Sequence, residues 1–510
     1  MSSTVATAPE SGSSSSKRGW ITVSIMLATI MQALDTTIAN VALPNMKGSM
    51  SATEEQISWV LTSYIVAAAI ATPLTGFLSA KLGRKRLFLL SVTGFTIASL
   101  LCGIAANLEE MVLFRLLQGV FGAGLVPLSQ AVLLDTYPKE QHGSAMAMWG
   151  VGVMVGPILG PTLGGYLTEM INWRWVFFIN LPFGILSLLG ILFFVPETEK
   201  EKRRFDLFGF ALLGLAIGAL QLLLDRGQSL DWFSSLEIQI EALIAGTALL
   251  MFLVHMHTHR EPFLEPGLFR DRNLAIGLMF IFMVGIILLA TLALLPPFLQ
   301  NLMSYPVITT GLVLAPRGLG SMVAMMLVGR LVNRVDVRLL ILTGLILLTI
   351  SLFEMANFNT QVSSFTVGMT GIVQGMGLGF VFVPLSTITF ATLAPHYRTE
   401  ATAMFSLMRN IGSSIGISIM VTLVARNTQI NHATLGEFIN PFRPAFDAFS
   451  LPGGIEKQST TGLAMLNQMV TEQAATIGYL NDFRLMAWIT LASIPLLLLF
   501  RSNKRTASQG

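Results

Sequence analysis

Gln118-Gly119, Pro127-Leu128-Ser129 and Ala147-Met148 recur further along the chain as Gln374-Gly375, Pro384-Leu385-Ser386 and Ala403-Met404. Each copy follows its partner by about 256 residues, half of the chain, which marks an internal repeat. Both copies lie in runs too apolar to be anything but membrane helices. A chain that repeats half of itself inside a bilayer builds two bundles around a shared cavity, the architecture by which secondary transporters expose one site to alternate sides. The repeat points to transport before any single residue does.

Composition agrees. Of 510 residues, 53% are hydrophobic and 12% charged, with a mean hydropathy of +0.69, more apolar surface than a soluble chain of this length can bury. The expected class is an all-α polytopic membrane protein. The net charge of +3 says little about partners; the basic residues follow topology and form no patch, so no nucleic-acid partner is expected. Cys102 is the single cysteine and cannot form an intrachain disulfide. Residues 1-19, with Gly12-Ser13-Ser14-Ser15-Ser16, read as a flexible tail. The following run carries Asp35 and no small-residue cleavage pattern, so it reads as a retained first helix.

Runs near the ~20 residues needed to cross a bilayer fall at about 20-42, 57-80, 87-106, 111-134, 143-168, 175-195, 207-224, 236-254, 274-296, 308-331, 339-357, 363-390, 401-425 and 483-500. These are fourteen spans, an even number, so both termini share a side. Roughly two thirds of the 31 lysines and arginines lie in the tail and alternate connections, which makes that side cytoplasmic. The repeat leaves helices seven and eight without counterparts. The expected domains are therefore the tail, an N-terminal bundle at 20-200, two inserted helices at 201-262 and a C-terminal bundle at 263-510. The last includes an outer loop at 426-482, where residues Leu463 to Thr476 permit a short amphipathic helix.

Between spans two and three stands Gly76-Phe77-Leu78-Ser79-Ala80-Lys81-Leu82-Gly83-Arg84-Lys85-Arg86, echoed at Gly329-Arg330-Leu331-Val332-Asn333-Arg334-Val335-Asp336-Val337-Arg338. The glycines allow close helix approach and a tight turn, and the cations can dock on helix C-termini or on acids of the facing bundle. The fifth span carries Gly152, Gly156, Gly160 and Gly164 at four-residue spacing, with Pro157 and Pro161 between them and Gly165 after. Four residues advance ~400° around a helix, so the glycines form a smooth stripe for a neighbouring helix, either as ordinary packing or as part of a conformational hinge.

Asp35 and Arg115 are the most informative charges. Each costs roughly 2.5–3.5 kcal/mol at mid-membrane, and their positions in span put them at a common depth, where they can pair. Two readings stay open: a structural ion pair, or a desolvated carboxylate that carries a proton with Arg115 tuning it. Arg317, Glu354 and Arg409 are the other charges expected to be buried, all in the second half, as possible cavity charges. Arg409 either lines the cavity or pairs with a neighbouring helix. Glu237 and Glu241 suit a helix N-terminus near the outer surface.

Apparent enzyme signals dissolve. Gly412-Ser413-Ser414-Ile415-Gly416 spells a nucleophile elbow but sits inside an apolar helix. His255, His257 and His259 are split between helix faces by their spacing of two, and no carboxylate or cysteine joins them in a ligand pattern, so no metal is expected. No phosphate loop occurs. No cofactor is expected, and an ion gradient is the energy source.

The loop at Gly76 to Arg86 resembles the cytoplasmic signature of the major facilitator superfamily, although the family has an aspartate where this chain has Ala80. Leu34-Asp35-Thr36-Thr37-Ile38-Ala39-Asn40-Val41-Ala42-Leu43-Pro44 and Trp173-Arg174-Trp175-Val176-Phe177-Phe178-Ile179-Asn180-Leu181-Pro182 resemble the superfamily's fourteen-helix drug:proton antiporter branch. Leu224-Asp225-Arg226-Gly227, Asp231-Trp232-Phe233-Ser234-Ser235 and Asn440-Pro441-Phe442 are similar to its EmrB type in Gram-negative bacteria. The glycine-proline run of the fifth span resembles the antiporter signature, with Ala147 where a glycine is usual. Arg115-x-x-Gln118-Gly119 matches the fourth-helix pattern.

The resemblance implies proton-driven export of small hydrophobic or amphipathic compounds across the bacterial inner membrane. It also implies a periplasmic EmrA-type adaptor and an outer-membrane TolC-type channel, with the outer loop at 426-482 as their contact. A dedicated exporter of one metabolite, such as a fatty acid or siderophore, and a non-transporting membrane sensor are the rivals.

Overall fold

The apolar runs fold as long helices whose breaks fall at glycine and proline. The computed structural model describes residues 11–198, 200, 204–440, 443, 451 and 456–500, and no strand occurs among them. The first half comprises α1 (Ser11–Ser49), α2 (Glu54–Ala71), α3 (Leu74–Leu82), α4 (Arg84–Ile104), α5 (Leu108–Gly122), α6 (Leu125–Thr136), α7 (His142–Met170), α8 (Trp175–Phe178) and α9 (Asn180–Phe194). Next come α10 (Leu207–Arg226) and α11 (Leu236–Thr258). The second half comprises α12 (Arg272–Pro297), α13 (Val307–Leu331), α14 (Val337–Met355), α15 (Ser364–Phe390), α16 (Arg398–Gly436) and α17 (Thr460–Ser493). Among the described residues, 13 helices are long and apolar enough to cross a membrane, or 14 if the bent pair α2 and α3 counts as one span.

That bend, 56° between α2 and α3, follows from Pro73, which has no N–H to continue the helical ladder. Gly83, between α3 and α4, has φ +86, a conformation in which a Cβ would clash. Side-chain caps fix several starts: Thr53 and Gln56 form a capping box before α2, and Asn107, Asp206, Asp271, Ser363 and Ser459 each accept from the first turn of their helices.

In the first half α1 packs on α7 and α9, α2 on α5, and α4 on α5 and α9. In the second, α12 packs on α16, α13 and α14 on α15, and α17 on α14 and α16. The halves meet along α7 and α13, and where α16 touches α3 and α6. The helices α10 and α11 pair with each other, and α10 also lies against α2 and α16, one helix from each bundle. The α3–α4, α6–α7, α9–α10, α11–α12, α13–α14 and α15–α16 connections lie on one side, here termed the basic face.

The structure changes two expected boundaries. Helix α1 begins at Ser11, so residues 11–19 of the expected tail are helical. Helix α16 continues to Gly436 and α17 starts at Thr460, so most of the expected loop at 426-482, including Leu463 to Thr476, is a helical hairpin. At 1.5 Å per residue the 39 residues of α16 extend about 58 Å, well beyond a ~30 Å hydrocarbon core. His432 and Asn467 bond across the hairpin at 3.0 Å. Pro441, Phe442 and Pro452-Gly453-Gly454 lie outside the described residues, as do Lys202 and Arg203.

Candidate functional site

Asp35 on α1 and Arg115 on α5 meet inside the first bundle. Both are 1% exposed, and the Arg115 Nη1 donates to Asp35 Oδ2 at 2.7 Å. The other carboxylate oxygen accepts from Gln118 Nε2 at 2.9 Å and Asn180 Nδ2 at 2.8 Å. Asn180 Nδ2 also donates to Ser99 Oγ at 3.0 Å, and Ser99 in turn donates to the Phe177 carbonyl at 2.9 Å. Arg115 Nε donates to the Val60 carbonyl at 3.1 Å and Nη1 to Gln118 Oε1 at 2.8 Å. Its guanidinium also lies 4.4 Å from the Tyr64 ring centroid, a cation–π contact that is strengthened by exclusion of water. Six helices thus build one cage, in which each charge has a partner and additional hydrogen bonds, the condition under which a buried pair is tolerated.

Helix α1 is held close to α7 by the glycine stripe. Gly152 faces Met26, Gly156 faces the Ala33 backbone, Gly160 faces Thr37 and Gly164 faces Ile38. Thr37 Oγ1 donates to the Gly156 carbonyl at 3.1 Å, two residues from Asp35. Helix α7 runs unbroken through Pro157 and Pro161. Gly165 has open space where a side chain would be and is not part of the stripe. On its other side α7 meets α13, with Gly150 against Met325 and Gly318 against Ile158. The helix beside the buried carboxylate is therefore also the helix at the seam between the halves.

The basic face carries a second polar cluster. Asp135, in the last turn of α6, pairs with Arg84 at the start of α4 and with Arg398 Nη1 at the start of α16 (2.6 Å). Arg84 Nε reaches Thr399 Oγ1 at 2.8 Å and its Nη2 the Pro395 carbonyl at 3.2 Å, both in the second half. Asn333 donates to the Glu140 carbonyl at 2.7 Å and Thr402 to the Pro127 carbonyl at 3.0 Å. Below this layer Trp149 stacks on Phe382, with centroids 5.9 Å apart. Ala80 lines one cavity with Glu400, Tyr397 and Glu265, so carboxylates of the second half face the cavity where the family pattern has its own aspartate. Gly76 is the close-approach position, with the Glu400 backbone against it. Lys81 sits 5.8 Å from the Phe77 ring centroid, Lys85 is half-buried, and Arg86 faces Glu197 at 3.6 Å with both side chains exposed, a pair that contributes little.

The other expected charges divide. Arg317 is 7% exposed, and Nη2 donates to the Leu288 carbonyl at 3.3 Å. Arg409 is half-buried on α16, with its carbonyl against Gly285. Glu354 does not belong to this group. It is exposed and accepts from Thr370 Oγ1 at 3.1 Å, because it stands near the end of α14 and turns outward. Glu237 pairs with Arg226, which also faces Glu55 of α2 at 3.6 Å. Asp225 accepts from Thr62 of α2, and on the other side Gln221 donates to Ser414 and Ser418 to the Leu224 carbonyl, at 2.8 and 2.7 Å. The inserted pair is fastened to both bundles.

Sequence reasoning missed Asp135, Arg398, Thr399 and Glu400. One signal was present: an acid in the last turn of a helix opposes the macrodipole and needs a cation. It also missed that Asp206 joins His255 and His259, three groups whose ligand atoms lie within 4.8 Å of one another. The carboxylate absent from the local histidine pattern comes from the other inserted helix.

The Major Facilitator Superfamily model matches residues 25–417. The chain belongs to the major facilitator superfamily. It is 37% identical over 482 residues to the multidrug export protein EmrB of Escherichia coli K12, covering 93% of this chain and 94% of that protein. It is 36% identical over 496 residues to the fatty acid resistance protein FarB of Neisseria gonorrhoeae, covering 96% and 97%. The crystal structure of the human organic anion transporter MFSD10 (TETRAN) shares the fold, with a TM-score of 0.62 at 15% identity over 94% of this chain and 99% of that one. This major facilitator chain is thus an EmrB-type transporter and not an enzyme.

Proposed function

We propose that the protein exports hydrophobic or amphipathic compounds across the bacterial inner membrane in exchange for protons, with the basic face and both termini cytoplasmic. The observation that carries this reading is the Asp35 cage: a carboxylate 1% exposed, with its counter-ion supplied by Arg115 and neutral donors by Gln118 and Asn180. Protonation cancels the charge and weakens every bond to it, including those that link α1 to α5 and α9. Helix α1 is sealed to α7, and α7 to the opposite half, so a change at Asp35 has a packed route to the seam. The basic-face cluster holds the cytoplasmic side shut, which leaves the opposite side as the one to open for proton entry and cargo release. The inward membrane potential contributes ~2.3 kcal/mol per charge per 100 mV, and no other energy source is required.

The test is dye efflux from proteoliposomes under an imposed pH gradient. Asp35→Asn is expected to insert normally and to lose gradient-driven efflux; wild-type rates in this variant would remove the coupling role. The hairpin of α16 and α17, projecting from the periplasmic side, is assigned as the contact for an EmrA-type adaptor, through which a TolC-type channel would receive the cargo. A second reading, export of a single class such as fatty acids, draws support from the FarB relative. Competition by chemically unrelated dyes separates the two.

A further inference from the structure

The inserted helices carry a side-chain cluster that proton exchange does not use. Asp206 caps α10, and α11 ends at the same face with three histidines. Residues four apart share a helix face, and the rings of His255 and His259 accordingly stack at 4.7 Å with a 20° interplanar angle. His257 turns away, bonding the Leu253 carbonyl at 2.8 Å. The Asp206 side chain is 5% exposed, and its Oδ2 lies 2.8 Å from His255 Nε2. The Phe208 ring packs edge-on against His255, at 5.2 Å between centroids, while His259 is open to solvent.

Two imidazoles and one carboxylate form an N2O donor set that suits borderline divalent cations such as Zn2+, Co2+ and Ni2+ and leaves a coordination position to water. We propose that Asp206, His255 and His259 bind one such transition-metal ion, which clasps the basic-face ends of α10 and α11. The Gly209 N–H donates to Asp206 Oδ1 at 2.9 Å and the Phe263 N–H to Oδ2 at 3.0 Å, which fixes the carboxylate facing His255. Metal–nitrogen and metal–oxygen bonds of about 2.0–2.2 Å need the 2.8 Å contact to open by only a few tenths of an ångström. The exposed His259 ring reaches the same point by side-chain rotation. Asp206 also accepts from Phe263 N at 3.0 Å, and two residues on, Glu265 accepts from Tyr397 Oη at 2.8 Å, next to the Arg398 cluster. The clasp thus anchors the segment that braces the cytoplasmic seam.

The test uses the full-length protein in detergent, purified on a histidine-free tag, titrated calorimetrically with Zn2+ and followed by visible absorption with Co2+. Wild type is expected to bind one ion and to give the intense bands of tetrahedral cobalt. His259→Ala is expected to weaken binding at least about tenfold and to remove those bands, with His257→Ala unchanged. Asp206→Asn should behave like His259→Ala. If the aspartate variant fails to fold through loss of its cap, the solvent-exposed His259 still decides. Wild type binding no better than His259→Ala, or His257→Ala losing as much, would overturn the proposal.

Discussion

Asp135→Asn removes the anion shared by Arg84 and Arg398 without removing a side chain from the seam. The Asp135 side chain is 30% exposed and the two arginines 13% and 11%. Bonds to charged groups contribute about 1.5–3 kcal/mol each, and partial exposure places these two at the lower end, about 3 kcal/mol together. Removing an acid from the last turn of α6 returns about 0.3–1 kcal/mol of dipole repulsion. The net loss from the closed basic face is about 2 kcal/mol, a shift of roughly 30-fold in the ratio of closed to open protein. Spin labels on cysteines at Gln141 and Arg334, both exposed and on opposite sides of the seam, report that ratio by pulsed dipolar spectroscopy in a Cys102→Ala background. Wild type should give a short, narrow distance distribution, and Asp135→Asn a second, longer population. An unchanged distribution would refute the assignment of this cluster as the element that holds the cytoplasmic side shut.

Arg115→Ala leaves Asp35 buried without its cation and should lower stability by about 3–5 kcal/mol, read as a fall in detergent melting temperature larger than that of Asp35→Asn. Gly156→Leu drives a side chain into the Ala33 backbone and should abolish transport, whereas Gly165→Ala, with open space at that position, should transport normally; equal effects would show that the stripe is not the contact that matters. Replacing residues 440–456 by a short Gly-Ser linker should reduce capture of a purified EmrA-type adaptor, and undiminished capture would exclude this connecting segment from the docking element.

The membrane fold was legible because each span needs a long apolar run, and the repeated glycine, glutamine and proline positions divided the runs into halves. Asp35 and Arg115 were legible because a charge at mid-depth demands a partner, and few partners exist there. Hydropathy marks only the part of a helix that lipid surrounds, so the polar extensions of α16 and α17 fall in the expected outer loop, where composition permits only the short helix at Leu463 to Thr476, although each extension supports the other. The Asp135 cluster joins residues 263 positions apart through two ordinary connection charges, and only the dipole argument distinguishes Asp135 from its neighbours. Glu354 failed for the opposite reason. Near the end of α14 a carboxylate can turn outward, and position in a span does not fix orientation.

The repeat also explains why one half carries the charged cage. At the repeat offset Asp35, Arg115 and Gln118 correspond to Thr291, Gly371 and Gln374. The glutamine contact persists: Gln374 Nε2 reaches Thr291 Oγ1 at 3.4 Å, as Gln118 Nε2 reaches Asp35 Oδ1 at 2.9 Å. The charges do not. Gly371 stands where the guanidinium would originate, and the Arg317 backbone fills the space beside it. Among the described residues Gln374 Oε1 is buried without a hydrogen-bond partner, whereas Gln118 Oε1 takes an Arg115 N–H. At these equivalent positions of the repeat only the first half holds a carboxylate, Asp35. Under the proposed proton coupling, a rocking motion shared by both halves is driven from the half that holds Asp35.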